Sequence, residues 1–315
     1  MRGPWLRTSR GIRCRIEESG RLNGSDVALE TDGYKCDFGE LSGAKIRRSR
    51  ANSQTAQEVA GTRGGPVYSP VASSTTAIVV SDAHLSVDSH DATAAFHRFL
   101  EAVPDNCDHL LINGDLFEFW FTYQSVIPRE VFSTLAALER ARQAGVRMTV
   151  MGGNHDSWGA SFWTDELDAQ YFSGPAELSL AGWSAWVAHG HGLVELDRTG
   201  RFMHRVTGHS ITARTFRLIH PDLSFWMVRR LSGYLANRRR DEKLVSRAAQ
   251  AQSDYAKKML DKRQTLDLVI LSHTHRPALE SFEKDRWYLN PGAWVEGYRY
   301  AVIASAGPKL REFSS

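Results

Sequence analysis

Five short stretches of this chain set carboxylate, amide and imidazole side chains where apolar runs end. They are Asp82 and His84 in "SDAHL", Asp115 in "NGDLFEFW", Asn154, His155 and Asp156 in "GGNHD", His189 and His191 in "AHGHG", and His273 and His275 in "SHTHRP". A buried strand has no use for histidine, whereas a metal site does. Imidazole, carboxylate and amide oxygen together suit borderline divalent metals such as manganese, iron or zinc. Thiolate is absent from the set, so a structural zinc cage is excluded. Seven of these ten side chains as ligands are more than one metal takes from protein at a site with open positions; two metals sharing a bridging carboxylate would use seven. Singly, each motif is weak, because D-x-H arises by chance and a lone G-D is most often a turn. Five in order, each after a strand, carry the inference. His273 and His275 are one residue apart, and on an extended segment they point to the same side, so that one can serve each metal.

These side chains need elements to hold them. "AIVVSDAHL", "DHLLINGDLFEFW", "RMTVMGGNHD", "AWVAHGHG", "LVILSHTHRP" and "WYLNPGAW" each read as a buried strand with a polar end. Residues 90–103 carry apolar positions at helical spacing, and 129–145 read as a helix closed by Gly145. Strands alternating with helices predict α/β architecture, in which ligands gather beyond the carboxyl ends of the strands.

The chain has 315 residues, 42% of them hydrophobic, three cysteines and a net charge of +3, which suits one to two globular domains of about 100–200 residues each. Three cysteines make no disulfide framework. No apolar run reaches the ~20 residues of a membrane-spanning helix, and the start has no signal-peptide core, so a cytoplasmic protein is expected. Residues 1–74 hold ten of the 25 glycines and show no apolar period; a disordered extension is expected there. Residues 198–264 have a helical pattern with 16 Lys/Arg against five Asp/Glu and read as an insertion between core strands.

The ordered set D-x-H, G-D, G-N-H-D, H-G-H and H-x-H resembles the calcineurin-like metallophosphoesterase superfamily over roughly residues 77–304. The resemblance implies a four-layer αββα β-sandwich, here with a helical cap at 198–264 inside a domain spanning 75–315. It implies that Asp82, His84 and His275 hold one divalent cation and Asn154, His189 and His273 the other, with Asp115 bridging. Manganese is the first expectation, and iron, zinc or magnesium the alternatives. Two such cations about 3.5–4 Å apart activate a water for in-line attack on phosphorus. The resemblance makes His155 the group that stabilises charge or protonates the leaving group. Asp156 would orient His155, or cap the helix that follows.

Within the superfamily, "GDLFEFW", "SHTHRP" and "PGAW" are similar to the UDP-2,3-diacylglucosamine diphosphatases of lipid A synthesis. That similarity implies a nucleotide-lipid pyrophosphate as substrate, with UMP and a lipid sugar phosphate as products. Candidate substrate contacts are His191, Trp120 and Arg276. The stretch "DLSFWMVRRLSGYLANRRR" offers apolar surface for acyl chains and cations for phosphate, and suits peripheral contact with an anionic membrane. Three positions depart from the diphosphatase pattern: His155 stands where arginine is usual, His191 where aspartate is usual, and Ser272 where glycine is common before H-x-H. The first two follow the general phosphoesterase pattern, so a phosphodiesterase or phosphomonoesterase acting on soluble nucleotides is the alternative. No nucleic-acid module is recognised, and no nucleic-acid partner is expected.

Overall fold

The computed structural model describes residues 5–7, 13–15, 75–123, 126–156, 159–193, 218–236, 242–282 and 285–314. The chain divides into two units, Met1–Arg63 and Gly64–Ser315. In the first, strands β1 (Trp5–Arg7) and β2 (Arg13–Arg15) pair antiparallel. The rest of the expected disordered extension lies outside the described residues.

The second unit is built on two sheets. Strands β3 (Thr76–Val80), β4 (His109–Asn113), β5 (Arg147–Met151) and β6 (Gln170–Phe172) run parallel. The second sheet holds β7 (Ala176–Leu180), β8 (Trp183–Val187), β9 (Leu268–Ile270), β10 (Ala278–Phe282) and β11 (Arg286–Asn290) in the order β10-β11-β9-β8-β7. Strands β12 (Arg299–Ala304) and β13 (Gly307–Glu312) complete the first sheet, in the order β13-β12-β3-β4-β5-β6. The parallel strands at its centre are mostly apolar because both of their faces are covered.

The two-residue period of a strand decides which layer each side chain joins. Ile78 and Val80 of β3 face outward, into a core shared with helices α1 (His90–Asn106) and α2 (Phe132–Gln143), while Ala77 and Val79 face the second sheet. Likewise Leu268 and Ile270 of β9 fill the space between the sheets, and Val269 and Leu271 pack outward. A short helix, α3 (Ala160–Asp165), follows β5. After it come α4 (Pro221–Ala236) and α5 (Glu242–Lys262). The result is a sandwich of two mixed sheets with helices outside. Helix α1 runs three residues past the expected 103, through Pro104 in its last turn. Helix α2 begins after a 3-10 turn at Arg129–Val131, and its exit passes through Gly145, whose φ of +98° only glycine adopts freely.

The block 198–264 divides in two. Ala256 and Leu260 of α5 are buried against Trp186, Val269 and Tyr288, so α5 is the outer helical layer of the second sheet rather than part of a cap. Helix α4 keeps the character of an appended element, with Leu223, Trp226 and Met227 exposed. Residues 194–217 and 237–241 lie outside the described residues. Among the described residues no helix is long and apolar enough to cross a membrane.

At the end of the first sheet remote from the motif loops, His109 is buried and its Nε2 lies 2.9 Å from Thr149 Oγ1. Burial, then the neighbouring charge of Arg147, pushes its pKa down to about 4. The unfolded chain therefore binds a proton that the fold refuses between about pH 6.5 and 4. Stability should be complete above that window and fall by on the order of 3 kcal/mol through it. Urea unfolding of His109→Asn should show a flatter acid limb than the wild type; identical limbs would mean that His109 titrates freely in the fold.

Candidate metal centre

The motif residues lie just past the carboxyl ends of β3, β4 and β5 of one sheet and β8 and β9 of the other. Their loops leave the strands through an unusual backbone. Asp82, His84, Asp115, His273 and His275 have φ of 49°, 45°, 53°, 73° and 59°. Left-handed geometry costs a non-glycine residue about 1–2 kcal/mol, and strain of this kind gathers at functional sites. The loops hold it by hydrogen-bonding each other: Asp82 N–H donates to Gly114 O, and the N–H groups of Ala83 and His84 donate to Asp115 O, at 2.9–3.1 Å. The extended geometry expected for H-x-H is corrected here, since a chain with positive φ at both histidines turns.

That turn sends the two histidines apart. His275 Nε2 lies 3.4 Å from Asp82 Oδ1 and 3.3 Å from His84 Nε2. The His273 ring lies beside His189, with centroids 5.2 Å apart. Donor atoms of Asp82, His84 and His275 converge within 4.8 Å, and so do those of Asp115, His189 and His273. Asp115 lies between the groups, its Oδ2 3.2 Å from His189 Nε2 and 3.9 Å from His84 Nε2.

Two carboxylates buried among imidazoles set the electrostatics. Burial would raise Asp82, but contact with His275 and the charge of His189 hold it well below the carboxylate range. Burial opposes ionisation of Asp115 too, and His189 and His155 likewise drive it down. His189 responds in kind: burial disfavours its charge, yet Asp115 carries its pKa up to about 10. His273 goes the other way, to about 4, through burial and repulsion from His189. Asp156 is pushed up to about 6 by burial and by Asp115, against two backbone N–H donors.

The donor set fits divalent cations. Asp82 Oδ2 accepts from Ser81 Oγ–H at 2.7 Å and from His273 N–H at 3.1 Å, while Oδ1 is buried with no hydrogen-bond partner among the described residues. Asn154 Oδ1 is buried and unpartnered in the same way. An unpaired buried acceptor costs about 1–3 kcal/mol, a cost that a cation removes. Close approach also requires glycine here: a Cβ on Gly153 would lie 2.0 Å from Asp115 Oδ1, and one on Gly114 2.4 Å from His189 Nδ1.

The remaining motif residues divide. His155 stands at the site, its N–H bonded to Asp115 Oδ1 at 2.9 Å and its ring 4.8 Å from that of His84. Asp156 does not orient it. Both Asp156 oxygens are taken by Gly153 N–H and Leu116 N–H at 2.7 and 2.8 Å, so the carboxylate braces two loops, while His155 Nδ1 is bonded to Glu118 O at 2.7 Å. Nor does Asp156 cap the next helix, whose N-cap position is Gly159. Trp120 is fully buried, stacked on Phe117 and packed on Phe162 and Trp163. Its bulk drew it into the core, and it has no surface to offer a substrate. Arg276 is exposed and ion-paired with Glu242 of α5. His191 is half-buried, its ring 5.3 Å from that of His189.

Sequence reasoning missed three residues near the site. Gln252 of α5, fully buried, donates to Ser272 O at 2.8 Å and accepts from Thr274 Oγ1 at 3.2 Å, holding the H-x-H turn from behind. Glu118 and Glu296 approach the histidines from outside the cluster. Glutamine on a helix and acids near a loop are too common to stand out; only the E within "GDLFEFW" lay inside a motif already singled out.

Residues 75–277 match the calcineurin-like phosphoesterase family, and the chain belongs to it. It is a hydrolase acting on phosphoester bonds, of a family that uses divalent metal ions. More particularly, it is similar to proteins named UDP-2,3-diacylglucosamine hydrolase. The one from Shewanella sp. (strain MR-4) is 28% identical over 244 residues, which cover 74% of this chain and 96% of that protein. The one from Porphyromonas gingivalis (strain ATCC BAA-308 / W83) is 25% identical over 241 residues, 70% of this chain and 91% of that protein. The one from Aeromonas salmonicida (strain A449) is 29% identical over 215 residues, 66% of this chain and 80% of that protein.

A protonated His189 must give up its proton to bind a cation, and metal binding is then coupled to pH. Apparent affinity for Mn2+ should rise about tenfold per pH unit between roughly pH 6 and 8. Titration of metal-stripped protein in lightly buffered solution should release a proton. A flat profile would mean that His189 is neutral beforehand or binds nothing.

Proposed function

We propose that this hydrolase cleaves the pyrophosphate of a UDP-2,3-diacylglucosamine-like nucleotide lipid, giving UMP and a lipid sugar phosphate, at the cytoplasmic face of a membrane. The observation that carries the reading is the pairing of the relatives' shared name with the surface of α4. Leu223, Trp226 and Met227 expose apolar area beside an exposed Arg230. The helix docks next to the Asp115 loop, with Phe225 against Phe119 at 5.7 Å and Tyr123 O–H donating to Ser224 Oγ at 2.9 Å. Acyl chains and a pyrophosphate need these two kinds of surface close to the cleavage site.

Asp82, His84 and His275 would hold one cation and Asn154, His189 and His273 the other, with Asp115 between them; manganese is the first choice. When bound, such cations supply Lewis-acid stabilisation of phosphoryl charge and activation of water. The chain's own part is positional and protonic. Asp115 keeps the two groups in register through one carboxylate. His155 holds Nδ1 against Glu118 O, which leaves Nε2 for the substrate. Burial opposes charge on His155, yet Asp115 and Glu118 raise its pKa, so that it is suited to give a proton to the leaving oxygen.

The second reading, a phosphodiesterase or phosphomonoesterase of soluble nucleotides, is favoured by His155 and His191, which stand where the diphosphatase pattern has arginine and aspartate. Purified protein with Mn2+ should release UMP from UDP-2,3-diacylglucosamine in detergent far faster than it cleaves bis-p-nitrophenyl phosphate. Cleavage of the generic ester alone would replace the first reading by the second.

His155→Ala should lower kcat roughly 100- to 10,000-fold with the metal content kept. Asp115→Ala should lose both activity and bound metal. Loss of metal in the first variant would make His155 a ligand, and full metal content in the second would remove Asp115 from the set.

A further inference from the structure

The two groups of donors are backed differently. In His275, Nδ1 donates to Glu296 Oε1 at 2.8 Å, which leaves the lone pair of Nε2 facing Asp82 Oδ1 and His84 Nε2. His84 differs: its Nδ1 lies 3.3 Å from Glu118 Oε2, a charge contact without hydrogen-bond geometry, and its Nε2 faces inward. Both imidazoles of this group therefore have a carboxylate near Nδ1, hydrogen-bonded at His275 and in charge contact at His84. In the other group, His189 Nδ1 meets, among the described residues, a peptide carbonyl, Asn113 O, at 2.8 Å.

Each outer carboxylate is fixed by the loop whose histidine it serves or that histidine's neighbour. Glu118 N–H donates to Leu85 O, next to His84. Glu296 ends the 3-10 turn Trp294–Glu296, in which Trp294 N–H donates to Ser81 O and Val295 N–H to Asp82 O. The indole of Trp294, fully buried, anchors that turn to Ala92 O at 3.1 Å. The carboxylates themselves are accessible, at 37% and 50% side-chain exposure, so that neither is needed to fill the core.

A carboxylate accepting Nδ1–H fixes the tautomer and plane of a ligating imidazole and makes Nε2 a better donor, effects that commonly amount to about 10–100-fold in metal affinity. We propose that Glu296 is a positioning residue that holds His275 from behind, with the Glu118 charge beside His84 as a lesser support, and that the Asp82/His84/His275 position consequently binds its divalent cation more tightly than the Asp115/Asn154/His189/His273 position. The proposal rests on the metal-centre reading given above.

The test is Mn2+ titration of the metal-stripped, full-length protein, with free Mn2+ followed by electron paramagnetic resonance. The wild type should bind in two resolved steps, and His275→Ala should remove the tighter one. Glu296→Ala should weaken that step about 10- to 100-fold and Glu118→Ala should weaken it less, with the weaker step and the melting midpoint of the metal-free protein unchanged. Glu296→Gln, which keeps an acceptor oxygen, should fall between alanine and wild type. An unchanged tighter step, a shift confined to the weaker step, or a glutamine variant no better than alanine would overturn the proposal. So would a third bound Mn2+ lost on Glu118→Ala, because Glu118 would then be a ligand with His84 and His155. Wild-type protein that takes up no Mn2+ would overturn the metal centre itself.

Discussion

Two fully buried carboxylates, Asp82 and Asp115, share one end of the sandwich with a ring of histidines, and the surrounding structure exists to keep that collection together. Such a concentration of ionisable groups is unfavourable unless each has a partner. The partners are of two kinds. Backbone N–H groups and Ser81 satisfy the outward carboxylate oxygens, whereas the inward oxygen of Asp82 and the amide oxygen of Asn154 are left for a cation. The left-handed residues, the two glycines that permit close approach and the brace formed by Asp156 all follow from the need to bring these atoms near one another without letting them collapse into ordinary hydrogen bonds.

The sandwich answers that need because its parallel strands all deliver their carboxyl ends to one edge. Asp82, His84, Asp115 and Asn154 descend from the first sheet, and His189, His273 and His275 from the second. The seam between the sheets is packed by Val79, Leu111, Ile270 and Leu289, and it thereby sets the distance between an oxygen-rich half and an all-imidazole half. Helix α5 belongs to this scaffold, since Gln252 reaches through the second layer to the H-x-H turn.

Much of this was legible in the sequence for a physical reason. Apolar β-branched runs that end in Asp, Asn or His have few explanations other than a strand feeding a polar site, and the layering of the sandwich came from the family resemblance. What escaped was whatever depended on packing. Trp120 looks like a substrate contact because it ends a motif, but a large ring beside Phe117 and Trp163 is more stable inside. The H-x-H spacing suggests an extended segment because nothing in the residue types announces positive φ; glycine would have, and histidine does not. The basic stretch 198–264 looks uniform in charge, yet Gln252, Ser253, Ala256 and Leu260 bury one face of α5. Glu118, Glu296 and Gln252 act through neighbours distant in sequence, and no local pattern marks them.

The order of these parts along the chain has a consequence for biosynthesis. The oxygen donors emerge early from the ribosome, at positions 82, 115 and 154, while the last histidine comes at 275 and the turn that backs it at 294–296. Strand β12, which flanks β3 in the first sheet, is later still, at Arg299–Ala304. Before β12 has been made, β3 lacks its antiparallel neighbour and the oxygen-bearing half of the site lacks its finished sheet. A cation that needs donors from both sheets can therefore be held only once the chain has been made as far as His275 and the turn behind it.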